Sequence, residues 1–199
     1  MTVFPVPIAA EEGLAILGPA TRYLFQGLPP ARLADPAVST PCPGWNLIDL
    51  LRHLHTSLGD FVDILGGNAK PISQAGTSPD PTTDPIGAIQ NLVIELVVCS
   101  LTLPAQDWKC EITDRVVSAE TVLYVAATEM VLHSWDIAQT CGSKHPIPDK
   151  LARTLLPAAP RIAEAGAACG AFAAPISIPT KASPGRHFLA LYGRREDDR

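Results

Sequence analysis

Stretches of helical apolar spacing alternate along the chain with stretches dense in proline. The clearest repeat is Leu47, Leu50, Leu51, Leu54, Leu58 and Phe61, which recurs at intervals of three and four and so paints one face of a helix. A proline-rich turn, STPCPGW, precedes it. Asn46 stands where a cap belongs, and Asp49 favours the positive end of the helix. A longer run, Ser118 to Gly142, holds neither Pro nor Gly before its final residue. Ser118 is a natural N-cap, Glu120 lies in the first turn, and Gly142 suits a left-handed stop. Ile86, Ile89, Val93, Leu96 and Val97, broadened by Leu92 and Ile94, predict a helix from about Pro85 to Leu101. Pro19, a residue favoured at the first helical position, predicts an opening helix from there to about Leu28, stopped by Pro29 and Pro30.

The remainder is weaker in pattern. Gly66 to Asp84 is rich in Gly, Pro, Ser and Thr and predicts a long loop, for which a lid, a site wall and disorder all fit. Trp108 to Val117 predicts a short extended piece or turn. Past Gly142 a further helix begins near Pro148, with Pro157 and Pro160 bending or interrupting it. From Phe172 the tail alternates Pro with small residues before HFLALYG and a charged end. There are no internal repeats. The prediction is an all-α helix bundle, one domain over residues 1–199 with a C-terminal extension over about 172–199.

Composition narrows the functional classes. Of the 199 residues, 47% are hydrophobic and only 18% charged, yet no run is long and apolar enough to span a bilayer. MTVFPVPIAAEEG lacks the basic start of a secretory signal, so a cytoplasmic location is expected. A net charge of -5, with 15 Lys+Arg and no basic cluster beyond Arg194 and Arg195, argues against a nucleic-acid surface. The 5 cysteines are odd in number and hold no C-x-x-C pair, which predicts reduced thiols rather than a disulfide framework. A small-molecule substrate is the expected partner. Because bundles with apolar stripes often dimerise, a homodimer is an expectation too.

Chemistry concentrates on the long central helix. Glu129 and His133 are one turn apart and stack a carboxylate and an imidazole on one face. Such a pair suits a metal centre, and equally a solvated ion pair on a helix surface. A third ligand would come from His53 or His55, which lie about 200° apart on the preceding helix, so at most one can join. Placed against the leucine face, His55 falls roughly 80° from its centre and His53 roughly 120°, a slight lean to His55.

Thr40-Pro41-Cys42, Trp45, Asp49-Leu50-Leu51 and His53-Leu54, followed by Glu129, His133, Trp135-Asp136 and Ala138, resemble the two signature blocks of the DinB-like metal-binding superfamily. They are most similar to the actinobacterial branch that includes mycothiol-dependent maleylpyruvate isomerase. FLALYGRRED resembles the closing segment of small stand-alone members of that branch. The resemblance runs from Pro19 to Arg195. It implies an up-and-down four-helix bundle with a divalent metal, most often zinc, held by His53, Glu129 and His133. It also implies mycothiol as a co-substrate. The isomerase has a sizeable additional C-terminal domain, whereas little follows the last helix here, so the bundle and metal carry over more securely than the activity.

Two imidazoles and a carboxylate leave a tetrahedral ion one open position, which is a catalytic arrangement. There a thiol would be favoured as thiolate, water made more acidic, or a carbonyl polarised. The leading expectation is therefore a metal-dependent transferase or isomerase that uses a small thiol on an electrophile. A thiol-independent hydrolase, lyase or cyclase of secondary metabolism, and a non-catalytic metal- or ligand-binding regulator, are the alternatives. Asp136, three residues after His133, could orient that imidazole or bond a neighbouring helix. Arg115, ahead of the central helix, is a candidate anchor for a substrate carboxylate. Trp45 and Trp135 suit a pocket wall or packing. Cys42 could approach the metal from its turn, though a small buried residue is the plainer reading.

Overall fold

The structure is a computed structural model that describes residues 10–67, 84–102, 109–112, 115–168 and 170–196. Its contacts divide the chain at Ser143/Lys144 into two compact units.

The first unit holds four long helices: α1 (Ala10–Gly27), α2 (Leu47–Leu65), α3 (Pro85–Thr102) and α4 (Ala119–Thr140). α1 packs on α4, α4 on α2, α2 on α3 and α3 on α1, which closes a four-helix ring. All-α architecture is thus as the apolar pattern predicts. Lys109–Ile112 (β1) and Arg115–Ser118 (β2) form a small antiparallel hairpin in the stretch expected to be extended. No helix among the described residues is long and apolar enough to cross a membrane. The expected loop lies outside the described residues over 68–83. At its far edge Asp84 caps α3 through the Gly87 amide and pairs with Arg32 at 2.9 Å.

α1 departs from the expected start. It begins nine residues before Pro19, which lies inside it. A proline removes one intrahelical hydrogen bond and crowds the preceding turn. Here the apolar stripe outweighs that cost: Leu17 is as buried ahead of the proline as Ala20, Tyr23 and Leu24 are after it.

α2 starts where the cap chemistry dictates. Asn46 accepts from the Asp49 amide while the Asp49 carboxylate accepts from the Asn46 amide, a reciprocal capping box. Leu47, Leu50, Leu51, Leu54 and Leu58 are buried, and Phe61 is half-buried. α4 is capped by Ser118, which accepts from the Thr121 amide. It ends with Gly142 at φ +68°, the Ser143 amide donating to Ala138 and the Gly142 amide to Gln139. That paired closure needs a left-handed residue, which glycine adopts without a Cβ penalty. From Val122 to Ala138 nearly every side chain of α4 is buried.

The second unit holds α5 (Asp149–Leu155), α6 (Ala159–Ala168) and α7 (Pro184–Leu191). The helix expected from Pro148 is interrupted, with a turn over 156–158 that contains Pro157. Pro160 then sits in the first turn of α6, where a missing N–H costs nothing. α5 and α6 both pack on α7. Phe188 and Tyr192 are fully buried, and the Tyr192 hydroxyl donates to the Ala159 carbonyl at 3.4 Å.

Candidate metal centre

α4 contributes Glu129, His133 and Asp136, at i, i+4 and i+7, so all three fall on one helical face. α2 contributes His53 from its second turn. The His53 Nε2 lies 3.3 Å from Glu129 Oε2, and the His133 Nε2 lies 3.2 Å from the same oxygen. The two imidazoles meet edge to face with centroids 4.9 Å apart. One ligand atom from each of His53, Glu129 and His133 falls within 4.8 Å of the others, close enough to hold one metal ion. The periodicity lean to His55 is not followed: among the described residues His55 joins no such group. It is half-buried, and burial pushes its imidazole pKa down.

The turn before α2 is built to serve this point. The Thr40 amide and hydroxyl both donate to the Trp45 carbonyl across it, each at 3.0 Å, and the Trp45 amide donates to the Cys42 carbonyl. Gly44 at φ +80° closes the loop. Trp45 is thereby laid against His53, ring centroids 4.7 Å apart. Cys42 is turned inward, 5% exposed, with its Sγ 3.4 Å from Asp136 Oδ2. The Ser57 hydroxyl, one turn beyond His53, lies 3.5 Å from its Nε2.

Electrostatics bind the cluster tightly. Burial alone would push the Glu129 carboxyl up, but the imidazoles of His133 and His53 beside it hold it far below the usual carboxylate range. Burial would push His133 down, and Asp136, Cys42 and Glu129 together raise it well above its ordinary value. The Asp136 carboxylate is wholly buried, and its Oδ2 lies 3.0 Å from His133 Nδ1.

Whether these residues fit a metal can be tested on one atom. His133 Nε2 is buried and, despite its distance to Glu129, makes no hydrogen bond. A buried imidazole nitrogen left unpaired is costly unless something else takes its lone pair. With Nδ1–H directed to Asp136, the remaining lone pair on Nε2 points where a first-row divalent ion would sit. Two imidazole nitrogens and one carboxylate oxygen are the donor set such an ion takes. The residues fit.

Sequence spacing brings Asp136 near His133, and the structure joins them. Arg115 opens β2, but its side chain lies outside the described residues. Trp135 is buried within α4. The Ser57 contact could have been found from its i+4 spacing to His53. No spacing rule links Cys42 to Asp136, which are 94 residues apart.

Fold and site together define an all-α bundle with a candidate divalent-metal centre between its second and fourth helices. The family model of the mycothiol maleylpyruvate isomerase N-terminal domain matches residues 17–138, which span α1 to α4 and every residue of the centre; the chain belongs to that family. No curated protein and no solved structure matches the chain significantly.

Proposed function

We propose that the protein is a metal-dependent enzyme that uses a low-molecular-weight thiol of the mycothiol type on an electrophilic small molecule, as a transferase or isomerase, with zinc held by His53, Glu129 and His133. The observation that carries the reading is the buried, unpaired Nε2 of His133 aimed at the same point as His53 and Glu129. Membership of a family named for mycothiol supplies the thiol. The ion's charge would favour a bound thiol as thiolate at neutral pH.

The chain's own groups do the rest. Asp136 accepts from His133 Nδ1–H and so fixes which nitrogen faces the centre. Glu129 brings the one negative charge among the three ligands, which offsets part of the ion's. His53, with 34% of its side chain exposed against 3% for His133, marks the side from which a small molecule would reach the centre. Trp45 borders that approach through its contact with His53. A cytoplasmic setting agrees with the state of Cys42, Cys99 and Cys141, which are thiols rather than disulfides.

The test is elemental analysis of untagged protein beside His53→Ala, His55→Ala and His133→Ala. About one equivalent of metal per chain, lost in the 53 and 133 variants and kept in the 55 variant, supports the centre. Product formation from electrophilic substrates that depends on added thiol supports the reaction. Thiol-independent turnover would replace it with hydrolase, lyase or cyclase chemistry at the same centre, and a wild type that takes up no metal would overturn the proposal.

A further inference from the structure

Asp136 Oδ2 serves two neighbours. It lies 3.0 Å from His133 Nδ1 and 3.4 Å from Cys42 Sγ, and no part of Asp136 is exposed. A buried carboxylate is stabilised and its rotation restrained by each donor it accepts from. The turn from Thr40 to Trp45 looks made for this purpose: the Cys42 amide donates to the Thr40 hydroxyl at 3.1 Å, and the Cys42 carbonyl accepts from the Trp45 amide at 3.1 Å. Prolines on both sides further restrict the backbone at Cys42. Its thiol is thus presented from a braced turn.

We propose that Cys42 is a positioning residue for the metal centre: its S–H and the Nδ1–H of His133 share Asp136 Oδ2, and the thiol's bond helps that carboxylate keep the His133 ring turned with Nε2 toward His53 and Glu129. The inference rests on the metal reading above. An independent observation supports the direction of the chain of contacts, since at its far end stands the buried Nε2 that no hydrogen bond satisfies. Cys42, His133 and Asp136 also lie close enough together to hold an ion of their own. The shared-acceptor geometry favours a relay of hydrogen bonds instead, because Oδ2 is within bonding reach of both partners.

The experiment is Co²⁺ titration of the metal-free full chain, wild type beside Cys42→Ala and Cys42→Ser, followed through the visible d–d bands. Loss of an outer partner of a ligating histidine costs about 10- to 100-fold in affinity, and Cys42 acts one bond further out, so the Ala variant should bind about three- to tenfold more weakly with altered d–d bands. Ser keeps a donor and should bind within about twofold of wild type. Equal binding by all three proteins overturns the proposal, as does equal weakening in Ala and Ser, which would mark a packing role. If the Ala variant does not fold, a Ser variant weakened beyond about twofold overturns it alone. A near-ultraviolet thiolate-to-cobalt band in wild type that both variants lose makes Cys42 a ligand and overturns it. Wild type that takes up no Co²⁺ overturns the metal reading, and the role of Cys42 falls with it.

Discussion

Replacing Glu129 by Gln separates the two roles of that carboxylate, as the anchor of the metal-free cluster and as a ligand. In the metal-free protein it bonds His53 Nε2 at 3.3 Å, longer than the roughly 2.7–2.9 Å of the strongest charge-assisted bonds, so that contact sits at the low end of about 1.5–3 kcal/mol, while His133 Nε2 at 3.2 Å is an ion-pair contact without a hydrogen bond and adds less. The His53 contact is discounted further, because 34% of that side chain is exposed and solvent screens the pair. Burying the carboxylate costs energy that the neutral amide partly recovers. The net expectation at pH 7 is a loss of about 1–2 kcal/mol, and at about 2–4 °C per kcal/mol a fall in Tm of about 2–8 °C.

The pH dependence gives the sharper signature. The folded-state pKa of Glu129 is depressed, so its contribution is present above the ordinary carboxyl value of 4.5 and is lost as pH falls below it. The gap between wild type and variant should therefore narrow on acidification from pH 5 to pH 3. Saturating metal should widen it at pH 7, since wild type gains about 2.7 kcal/mol at a hundredfold excess over Kd and the variant, with a poorer ligand, gains less. Calorimetry of both proteins at pH 7, with and without Zn²⁺, and without metal at pH 5 and pH 3, makes the measurement. A variant as stable as wild type without metal, or a gap that does not shrink in acid, would refute the reasoning.

Metal uptake should weaken on acidification, because the ion competes with a proton on His133, whose pKa is raised. Competition titrations should show about a tenfold loss per pH unit while one proton is displaced, and a flat profile between pH 8 and pH 6 would exclude His133 as a ligand. Gly44→Ala should cost about 1–2 kcal/mol by urea denaturation. The cost is purely conformational, since an added Cβ meets nothing within 4 Å while φ is +80°, and a neutral result would show that the turn relaxes. Pro19→Ala should restore a hydrogen bond inside α1 and stabilise the protein by about 1–2 kcal/mol, part of the helix penalty being offset by a freer unfolded chain; destabilisation would mean that α1 depends on a bend at that point.

The sequence is most legible where one interaction type acts locally. Asn46 with Asp49, and Ser118 with Gly142, set the bounds of α2 and α4 because caps depend on residues three or four apart. Pro19 misleads because its local cost is outweighed by burial against another helix, a term that local rules do not contain. The choice between His53 and His55 shows the limit of periodicity. The leucine face of α2 serves both α3 and α4, so its centre lies between them and a ligand shared with α4 alone sits off-centre. Only the family resemblance pointed to His53. The Cys42–Asp136 contact was illegible because it joins a turn to a helix far along the chain, and no periodic pattern encodes such a meeting.

Glu129, His133 and Asp136 occupy barely two turns of α4, so most of the centre travels with one short segment. Only a single imidazole must be supplied from elsewhere. A centre organised in this way is portable: a designer could write the same three residues into an unrelated helical scaffold and search the facing helix for one histidine position. The buried backing of Asp136 would then be the part to transplant with care, since a ligand cassette without its rigid floor keeps its composition and loses its aim.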